Sequence, residues 1–546
     1  MSPLAKDYVL APAADSPPGQ QPEQRLDAVV AALREHLRCA VDPATETRRR
    51  FFDSFEWSLY LDGAALEEVM ADGRRELRWR DLAGNGPVLA RQPLDGEPGL
   101  LADLPPGAVR ERLAPLLGVR RLLPVLTLAC TRQLLRVLND DEKTVARIGL
   151  EQARVLADAS ADGPPRDVPL PLRLRLLGVR GYAPELAETE RQLTERLALE
   201  PAPAPLYLSA LAAAGRRPGG YSSKLDYRLE PDQRAEAATR IILLGLLDTL
   251  EANIDGARRN LDPEFLHDLR VATRRTRSAL SQIKGVLPPA VVQDFKARFA
   301  WLQQVTGPVR DLDVYLLDFP RLKADLPAAL RDDLEPLKAW LLAHYDAEQR
   351  ALAEALASER FVALLRDWRA FLEASAGDGV PAEAKDAATP IKAVADKRIR
   401  RMFKRVREEG RAITDASPPG DVHELRKSCK KLRYLMEFFQ SLYPTEEIKD
   451  LIRQLKLLLD NLGGFQDLAV QAANLHETAA AMQAEGAAPL GTLLSLGALI
   501  GHILEAQQRA RWEFAHVYAG FDTDETAALF RRLFAAGAMQ SAEAGA

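Results

Sequence analysis

Seven histidines are scattered through the 546 residues, and two of them open the same pattern of cations. His267, Arg270, Arg274 and Arg277 step by three, four and three, and His423, Arg426, Lys430 and Arg433 repeat those steps 156 residues later. At 100° per residue each set falls within a helical sector of about 80°, so each forms a row of positive charge along one face. The register carries Phe265–Val314 onto Asp421–Val470 without a gap, setting Pro288 on Pro444, Gly307 on Gly463 and Asp311-Leu312 on Asp467-Leu468. Histidine-to-aspartate spacing is 44 residues in both copies. The chemistry that needs many guanidinium and ammonium groups on one rigid frame is the binding of a polyanion. Arginine forks match phosphate oxygens two at a time, and lysine adds a compact charge.

A single charged helical face is usually only a solvated surface. Two copies with one spacing, each with the rare histidine, favour a shared ligand instead. His267 and His423 read equally well as ligand contacts or as buried, hydrogen-bonded packing residues. No metal is expected at either: there is no HxxxH pair, and the one HxxE match, His502 with Glu505, lies outside both motifs. The neighbouring arginines would also repel a cation. Asp311 and Asp467 each follow a Gly-containing turn. Each can open the next helix as a favourable N-terminal anion, hold an arginine of its own repeat by a charge-assisted bond, or do both. A further basic segment precedes the second motif, from Lys397 to Arg411, with few acidic residues among its cations. Like charges at i,i+4 weaken a helix unless an anion compensates, and Arg401 and Lys404 of this segment join the candidate binding set.

These rows need helices to carry them. Leu266, Leu269, Thr273, Thr276 and Leu280 form a mostly apolar stripe beside the first row, as do Val422, Leu425, Cys429, Leu432 and Met436 beside the second. From Asp232 onward apolar residues recur at three and four, between turns such as Leu287-Pro288-Pro289 and Ser417-Pro418-Pro419-Gly420, which predicts an all-α region built as bundles. The preceding part mixes helix with strand-like runs. Arg48–Leu61 and Glu76–Arg80 carry aromatics and alternation, Leu134–Leu150 reads as a hairpin around Asn139-Asp140-Asp141, and Pro169–Leu177 alternates almost throughout. At this length two or three domains are expected, and the −5 net charge means that basic function must come from local clustering. Three isolated cysteines argue against a disulfide framework and fit a reducing cytosol. No segment reads as a membrane span: Leu490 to Leu504 offers about 15 residues, interrupted by Gly491, Gly497, Gly501 and His502, where roughly 20 are needed.

The motifs HDLRVATRRTR with TGPVRDLDV, and HELRKSCKKLRY with LGGFQDLAV, resemble the two halves of a CHAD domain, the conserved-histidine α-helical domain, over roughly Asp226 to Phe521. That resemblance implies two pseudo-symmetric four-helix bundles whose basic helices line a central groove, and binding of inorganic polyphosphate, with association to polyphosphate granules. Carried over by position, the binding row is His267, Arg270, Arg274, Arg277, His423, Arg426, Lys430 and Arg433. Few aromatic residues interleave with the basic rows, which disfavours single-stranded nucleic acid.

CHAD domains are often fused behind a CYTH domain, a triphosphate-tunnel fold that uses inward-facing cations and acidic residues holding Mg²⁺ or Mn²⁺. Phe51–Gly63, the ELRWR run Glu76–Arg80 and Tyr221-Ser-Ser-Lys224 resemble pieces of it, over about Leu33 to Leu229. The opening E-x-E-x-K signature is absent, with a helix-like run, Arg25 to Cys39, near that point, and the later acidic strand reads Leu172-Arg173-Leu174-Arg175. Guanidinium in place of carboxylate removes the oxygen ligands of a hard cation. The expectation is therefore a degenerate CYTH-like domain without catalytic residues, metal or cofactor, in which Arg78, Arg80, Arg132 and Arg136 either bind an anion or are ordinary outward-facing strand positions. The expected fold is α+β multidomain: a mixed α/β antiparallel barrel followed by the all-α CHAD region. Its parts are a disordered tail 1–22, the CYTH-like domain 23–200, a linker 201–225, the CHAD domain 226–525 with repeats about 232–375 and 388–525, and a tail 526–546. The expected role is a cytoplasmic polyphosphate-binding, granule-associated protein; the alternatives are a metal-dependent triphosphatase and a nucleic-acid binder.

Overall fold

Alternation in the first 220 or so residues resolves into one antiparallel sheet, and the 3.6-residue periodicity after it into helices. The structure is a computed structural model that describes residues 5–10, 22–83, 86–156, 167–197, 199–374 and 383–535. It divides into two compact units, Met1–Tyr221 and Ser222–Ala546.

In the N-terminal unit the strands are β1 (Ala5–Leu10), β2 (Cys39–Val41), β3 (Thr45–Asp53), β4 (Ala64–Ala71), β5 (Arg74–Asp81), β6 (Val88–Pro93), β7 (Leu123–Leu138), β8 (Thr144–Val155), β9 (Val168–Pro169), β10 (Arg173–Gly178) and β11 (Leu199–Pro201). They pair in the order β11-β1-β10-β8-β7-β3-β4-β5-β6, with β2 on β7 and β9 on β8. The helices are α1 (Pro22–His36), α2 (Ser58–Leu61), α3 (Ala108–Leu117), α4 (Ala183–Arg196) and α5 (Leu206–Ala213). β1 and β5 are six strands apart, about 29 Å on a flat sheet at ~4.8 Å per strand. Both nevertheless line one small cavity, so the sheet is strongly curved. Its end strands, β6 and β11, do not pair with each other among the described residues, so the barrel is an open one. Leu26, Val29 and Leu33 of α1 and Leu186 and Leu193 of α4 pack on Leu150, Leu174 and Leu176 on one face. On the other, α5 packs Tyr207 and Leu211 against Phe51 and Leu128.

Three expected boundaries are corrected. Residues Ala5–Leu10, placed in a disordered tail, form β1 between β10 and β11, because Tyr8 and Leu10 alternate into the core. Residues Leu206–Ala213, assigned to a linker, form α5, whose Ala210 and Leu211 are fully or nearly fully buried. At the far end, Asp524–Leu533 is a packed helix with Phe530 and Phe534 buried, so the tail assigned from 526 begins too early. Residues 1–4, 11–21 and 536–546 of the two tails lie outside the described residues.

The C-terminal unit contains α6 (Ala235–Ala252), α7 (Ile254–Arg258), α8 (Pro263–Gln282), α9 (Pro289–Val305), α10 (Gly307–Ala324), α11 (Glu335–Ala357), α12 (Glu359–Glu373), α13 (Ile391–Ala412), α14 (Pro419–Phe439), α15 (Thr445–Ala484), α16 (Leu490–Phe521) and α17 (Asp524–Leu533). The sequence register is also the helix register: α6 and α13, α8 and α14, and α9 and α15 each start 156 residues apart. Proline at the first helical position sets the start of α8, α9 and α14, where the missing N–H has no intrahelical partner to lose. One aromatic core, Trp368 with Phe295 and Phe299, belongs to the first repeat, and another, Phe403 stacked on Phe530, to the second. The ends of α10, α11, α15 and α16 share a third core. Two contacts join a residue to its own counterpart in the other repeat: a β-bridge between Arg234 and Pro390, and Tyr315 Oη donating to Gln471 O at 3.3 Å. Counterparts that touch must lie on the pseudo-two-fold axis.

By length and composition alone α16 could cross a bilayer. Its Leu496, Leu499 and Ile503 instead enter the shared core, and Thr492 and Ser495 donate to Asp333 O and Leu330 O.

The repeats differ where α9 and α10 meet. Pro308 lacks an N–H and clashes with the preceding turn, so α9 ends at Val305. The matching Gly463-Gly464 leaves α15 unbroken, which corrects the expectation that Asp467 opens a helix. Gly464→Ala is therefore expected to stabilise the protein by about 0.5–1 kcal/mol, since it removes a glycine from an open helical position. Gly410→Ala should cost about 1–3 kcal/mol, because a Cβ there would overlap the Tyr518 ring. Urea titration of both variants checks this.

Candidate polyanion-binding site

On α8 the stripe Leu266, Leu269, Thr273, Thr276 and Leu280 is buried, and on α14 so are Val422, Leu425, Cys429, Leu432 and Met436. Burying these faces leaves His267, Arg270, Arg274 and Arg277 half-buried along α8, and His423, Arg426, Lys430 and Arg433 half-buried along α14. α8 and α14 are tied across the repeats by Arg275 and Glu437 at 3.3 Å. Glu437 also holds Arg433 at 3.3 Å. Arg274 and Lys430 are repeat counterparts, and Arg274 lies close enough for its charge to act on the Lys430 ammonium. The two rows thus meet near the axis.

That meeting is electrostatically unfavourable in the free protein. Burial, with repulsion from Arg426, Arg274 and Arg433, pushes Lys430 down to about 8, and Asp467 offsets only part of it. Burial likewise lowers Arg270, with Arg274 and Arg310 adding to the effect. His267 is lowered mainly by burial, with Arg310 and Arg274 pushing down against Glu264 and Asp268. Among the described residues Arg270, Arg274, Arg277 and Lys430 have no ion-pair partner.

The two aspartates behave differently. Arg426 donates to Asp467 at 2.8 Å, the charge-assisted bond that one sequence reading anticipates. Asp311 makes no such pair with Arg270. The break after α9 exposes carbonyl acceptors there, and Arg270 donates to Gln303 O at 2.9 Å and Thr306 Oγ1 at 2.8 Å. His423 Nδ1 is buried without a hydrogen-bond partner among the described residues.

Arg401 and Lys404 stand apart from the row. They line a groove of about 450 Å³ with Lys284, Arg398, Arg405 and Lys431, on a different side of α14. Lys404 is 3.6 Å from Glu408. Sequence reasoning missed Lys284, Lys431 and the organising Glu437; the (i,i+4) pair Arg433/Glu437 was the available signal. It also missed a metal-compatible group: one ligand atom each from Glu264, His267 and Asp268 lies within 4.8 Å of the others. Arg274 and Arg310 oppose a cation there.

In the N-terminal unit Arg80, Arg132, Arg173 and Arg175 line the cavity, whereas Arg78 pairs with Glu76 and Arg136 with Asp42. Of the carboxylates beside the cavity, Asp7, Glu67 and Glu151 are engaged by arginine, whereas Asp81 accepts from Ala83 N. Arg175 grips both oxygens of Asp7 at 2.6 Å. Glu67, fully buried, binds Arg49 and Arg80; burial pushes it up, but those two guanidiniums hold it below the usual range. Glu151 lies 3.1 Å from Arg49 and 3.4 Å from Arg132. Carboxylates so occupied do not suit the divalent ion that the CYTH-like resemblance implies.

A helical unit with an internal two-fold repeat and facing cation rows is the class of protein that emerges. Residues 241–476 match the CHAD domain family model, and this segment is a CHAD domain. The CHAD domain from the plant Ricinus communis is 24% identical, covering 54% of this chain and 94% of that one with a TM-score of 0.45. PptA from Streptomyces chartreusis is 18% identical, covering 52% and 99% with a TM-score of 0.38. HpAC1 from Hippeastrum, whose structure is described as revealing a dominant triphosphatase activity, is 12% identical, covering 40% and 100% with a TM-score of 0.27. No curated protein matches the chain.

Lys430→Met should raise the melting temperature of the ligand-free protein by roughly 1–3 °C at pH 7. Lys430 is charged there, and its folded pKa of about 8 lies below its unfolded value, so the charge costs stability. That cost disappears as pH rises from about 8 toward the unfolded value, and at pH 10 the two proteins should melt much closer together. Scanning calorimetry at both pH values reads the difference.

Proposed function

We propose that the C-terminal unit binds inorganic polyphosphate along α8 and α14 and that the protein associates with polyphosphate granules. The observation that carries this reading is the packing of α8 on α14, tied by Arg275 and Glu437, which sets two half-buried cation rows side by side, with Arg270, Arg274, Arg277 and Lys430 lacking ion-pair partners among the described residues. A flexible chain with about one charge per phosphate relieves that repulsion and can follow both rows. Arg270, Arg274 and Arg277 offer forked donors, and Lys430 a compact one. Arg401 and Lys404 extend the positive field on the far side of α14 rather than continuing the row. In the N-terminal unit the arginine-occupied carboxylates favour a role without metal-dependent hydrolysis.

Replacing Arg270, Arg274, Arg426 and Lys430 together by Glu should abolish binding to immobilised long-chain polyphosphate while leaving the helical circular-dichroism signal unchanged. A folded variant that still binds would remove α8 and α14 from the site. Wild-type affinity should fall about 10³-fold between roughly 50 and 200 mM salt, by analogy with counterion release from DNA. Competing DNA that displaces polyphosphate at equal phosphate concentration would turn the reading toward nucleic acid.

Binding should also take up protons. The bound anion favours the charged form of Lys430, raising its pKa from about 8 toward its ordinary value. Affinity should therefore fall as pH rises above 8, by up to tenfold per unit, and Lys430→Arg should flatten the profile. Fluorescence titrations from pH 7 to 10 measure both slopes.

A further inference from the structure

Helix α16 buries one face in the shared core and leaves another uncovered. Leu490, Leu494, Gly497, Gly501 and Leu504 are exposed along its first half, and Gln508, Trp512, Ala515 and Ala519 along its second. At 100° per residue these positions share a sector of about 80° that runs the length of the helix, and none of them is charged. Leu490 is 74% exposed, Trp512 67% and Leu494 60%. Polar Thr492 and Ser495 lie on the core side while this outer stripe is apolar, the reverse of what a solvated helix face needs. A single exposed leucine is ordinary, but a continuous apolar stripe marks an interface.

We propose that this stripe is a dimer interface, α16 pairing antiparallel with the α16 of a second copy across a two-fold axis. Area supports that occupant. With 32 residues the helix is about 48 Å long and 10–12 Å across, so two copies laid face to face cover on the order of 1,000 Å², enough for a specific but weak interface. The order of side chains supports it further. Set antiparallel about Leu504 and Glu505, Leu490 faces Ala519 of the second copy, Leu494 faces Ala515, Trp512 faces Gly497 and Gln508 faces Gly501. Each larger side chain meets a small one, whereas a parallel pair would set Trp512 on Trp512 and glycine on glycine. A two-fold contact needs a patch complementary to itself, and this stripe is complementary to its own reverse. Gly497 and Gly501 have open space where a Cβ would stand, so nothing within the fold calls for glycine there. Glycine weakens a helix, and close approach of a second helix is a reason to keep it. Each Glu505 at the centre stands two positions from the other copy's His502, which can donate to it. A membrane surface is the competing occupant. Helices that lie on anionic bilayers carry Lys and Arg beside the apolar face, but the exposed charges flanking this stripe are Glu505, Arg509 and Glu513.

Sedimentation equilibrium of the full-length protein from about 1 to 100 µM, where weak interfaces assemble, should show the chain mass doubling. Leu494→Glu combined with Trp512→Glu should leave a monomer throughout. Gly497→Leu keeps the test alive if that variant does not fold, since the monomer has room for the side chain and the helix gains propensity. It makes the stripe more apolar, yet should weaken dimerisation tenfold or more by filling the space that Trp512 of the second copy needs. Leu504→Cys, at the two-fold, should oxidise to a covalent dimer, and Leu490→Cys, far from it, should not. A monomer at every concentration, dimerisation unchanged or strengthened in Gly497→Leu, or Leu504→Cys cross-linking no better than Leu490→Cys would each overturn the proposal. A wild-type monomer that floats with phosphatidylglycerol vesicles, and loses them on Leu494→Glu with Trp512→Glu, would give the stripe to a membrane instead.

Discussion

The C-terminal unit depends on keeping two cations, Arg274 and Lys430, near each other on a symmetry axis that brings them together. Repulsion from Arg426, and to a smaller extent from Arg274 and Arg433, adds to burial in disfavouring the Lys430 charge. It is opposed by the apolar stripes beneath the rows, where Leu266, Leu269, Leu425 and Leu432 are almost completely buried. Each contributes about 1.5–3 kcal/mol, so packing outweighs the charge penalty without a counterion. The Arg275–Glu437 bridge aligns the two helices. The free protein thus holds in place an arrangement that its electrostatics disfavour, and the depressed Lys430 pKa reports that tension.

Pseudo-symmetry does not make the repeats equivalent. Pro308 breaks the first long helix, so Arg270 is used on the carbonyl end of α9, whereas the unbroken α15 sends Arg426 to Asp467. α13 carries Arg401, Lys404 and Arg407 where α6 carries Gly245, Asp248 and Glu251, so the field is lopsided toward the second repeat. A chain ligand lying across the axis would meet a different surface on each side.

The N-terminal unit resolves the crowding of arginines in the opposite way. There the guanidiniums meet carboxylates inside a curved sheet, and Glu67, Glu151 and Asp7 each carry at least one. Of the five arginines that line this cavity, Arg173 alone has no ion-pair partner among the described residues. A buried paired network of this kind is weak evidence of stability in itself, yet it explains how five arginines can face one small cavity.

The repeat, the helical region, the two cation rows and the hairpin around Asn139-Asp140-Asp141 were all legible in the sequence, because periodicity and spacing are local properties of the chain. The buried stripes beside the rows followed for the same reason. β1 and α5 were not legible. Six residues beside a proline-rich segment, and eight beside a Pro-Ala-Pro run, become elements only when a sheet built from distant strands offers them a surface to bury against. Glycines 463 and 464 looked like a turn, but glycine permits a turn without imposing one, whereas Pro308 imposes it. Which cations stand together was likewise a tertiary matter. Spacing put Arg274 and Lys430 on equivalent faces, and the packing of α8 on α14 made them neighbours. The same packing sent Arg401 and Lys404 to another groove. Charge acts through space, and only the fold decides the distances over which it acts.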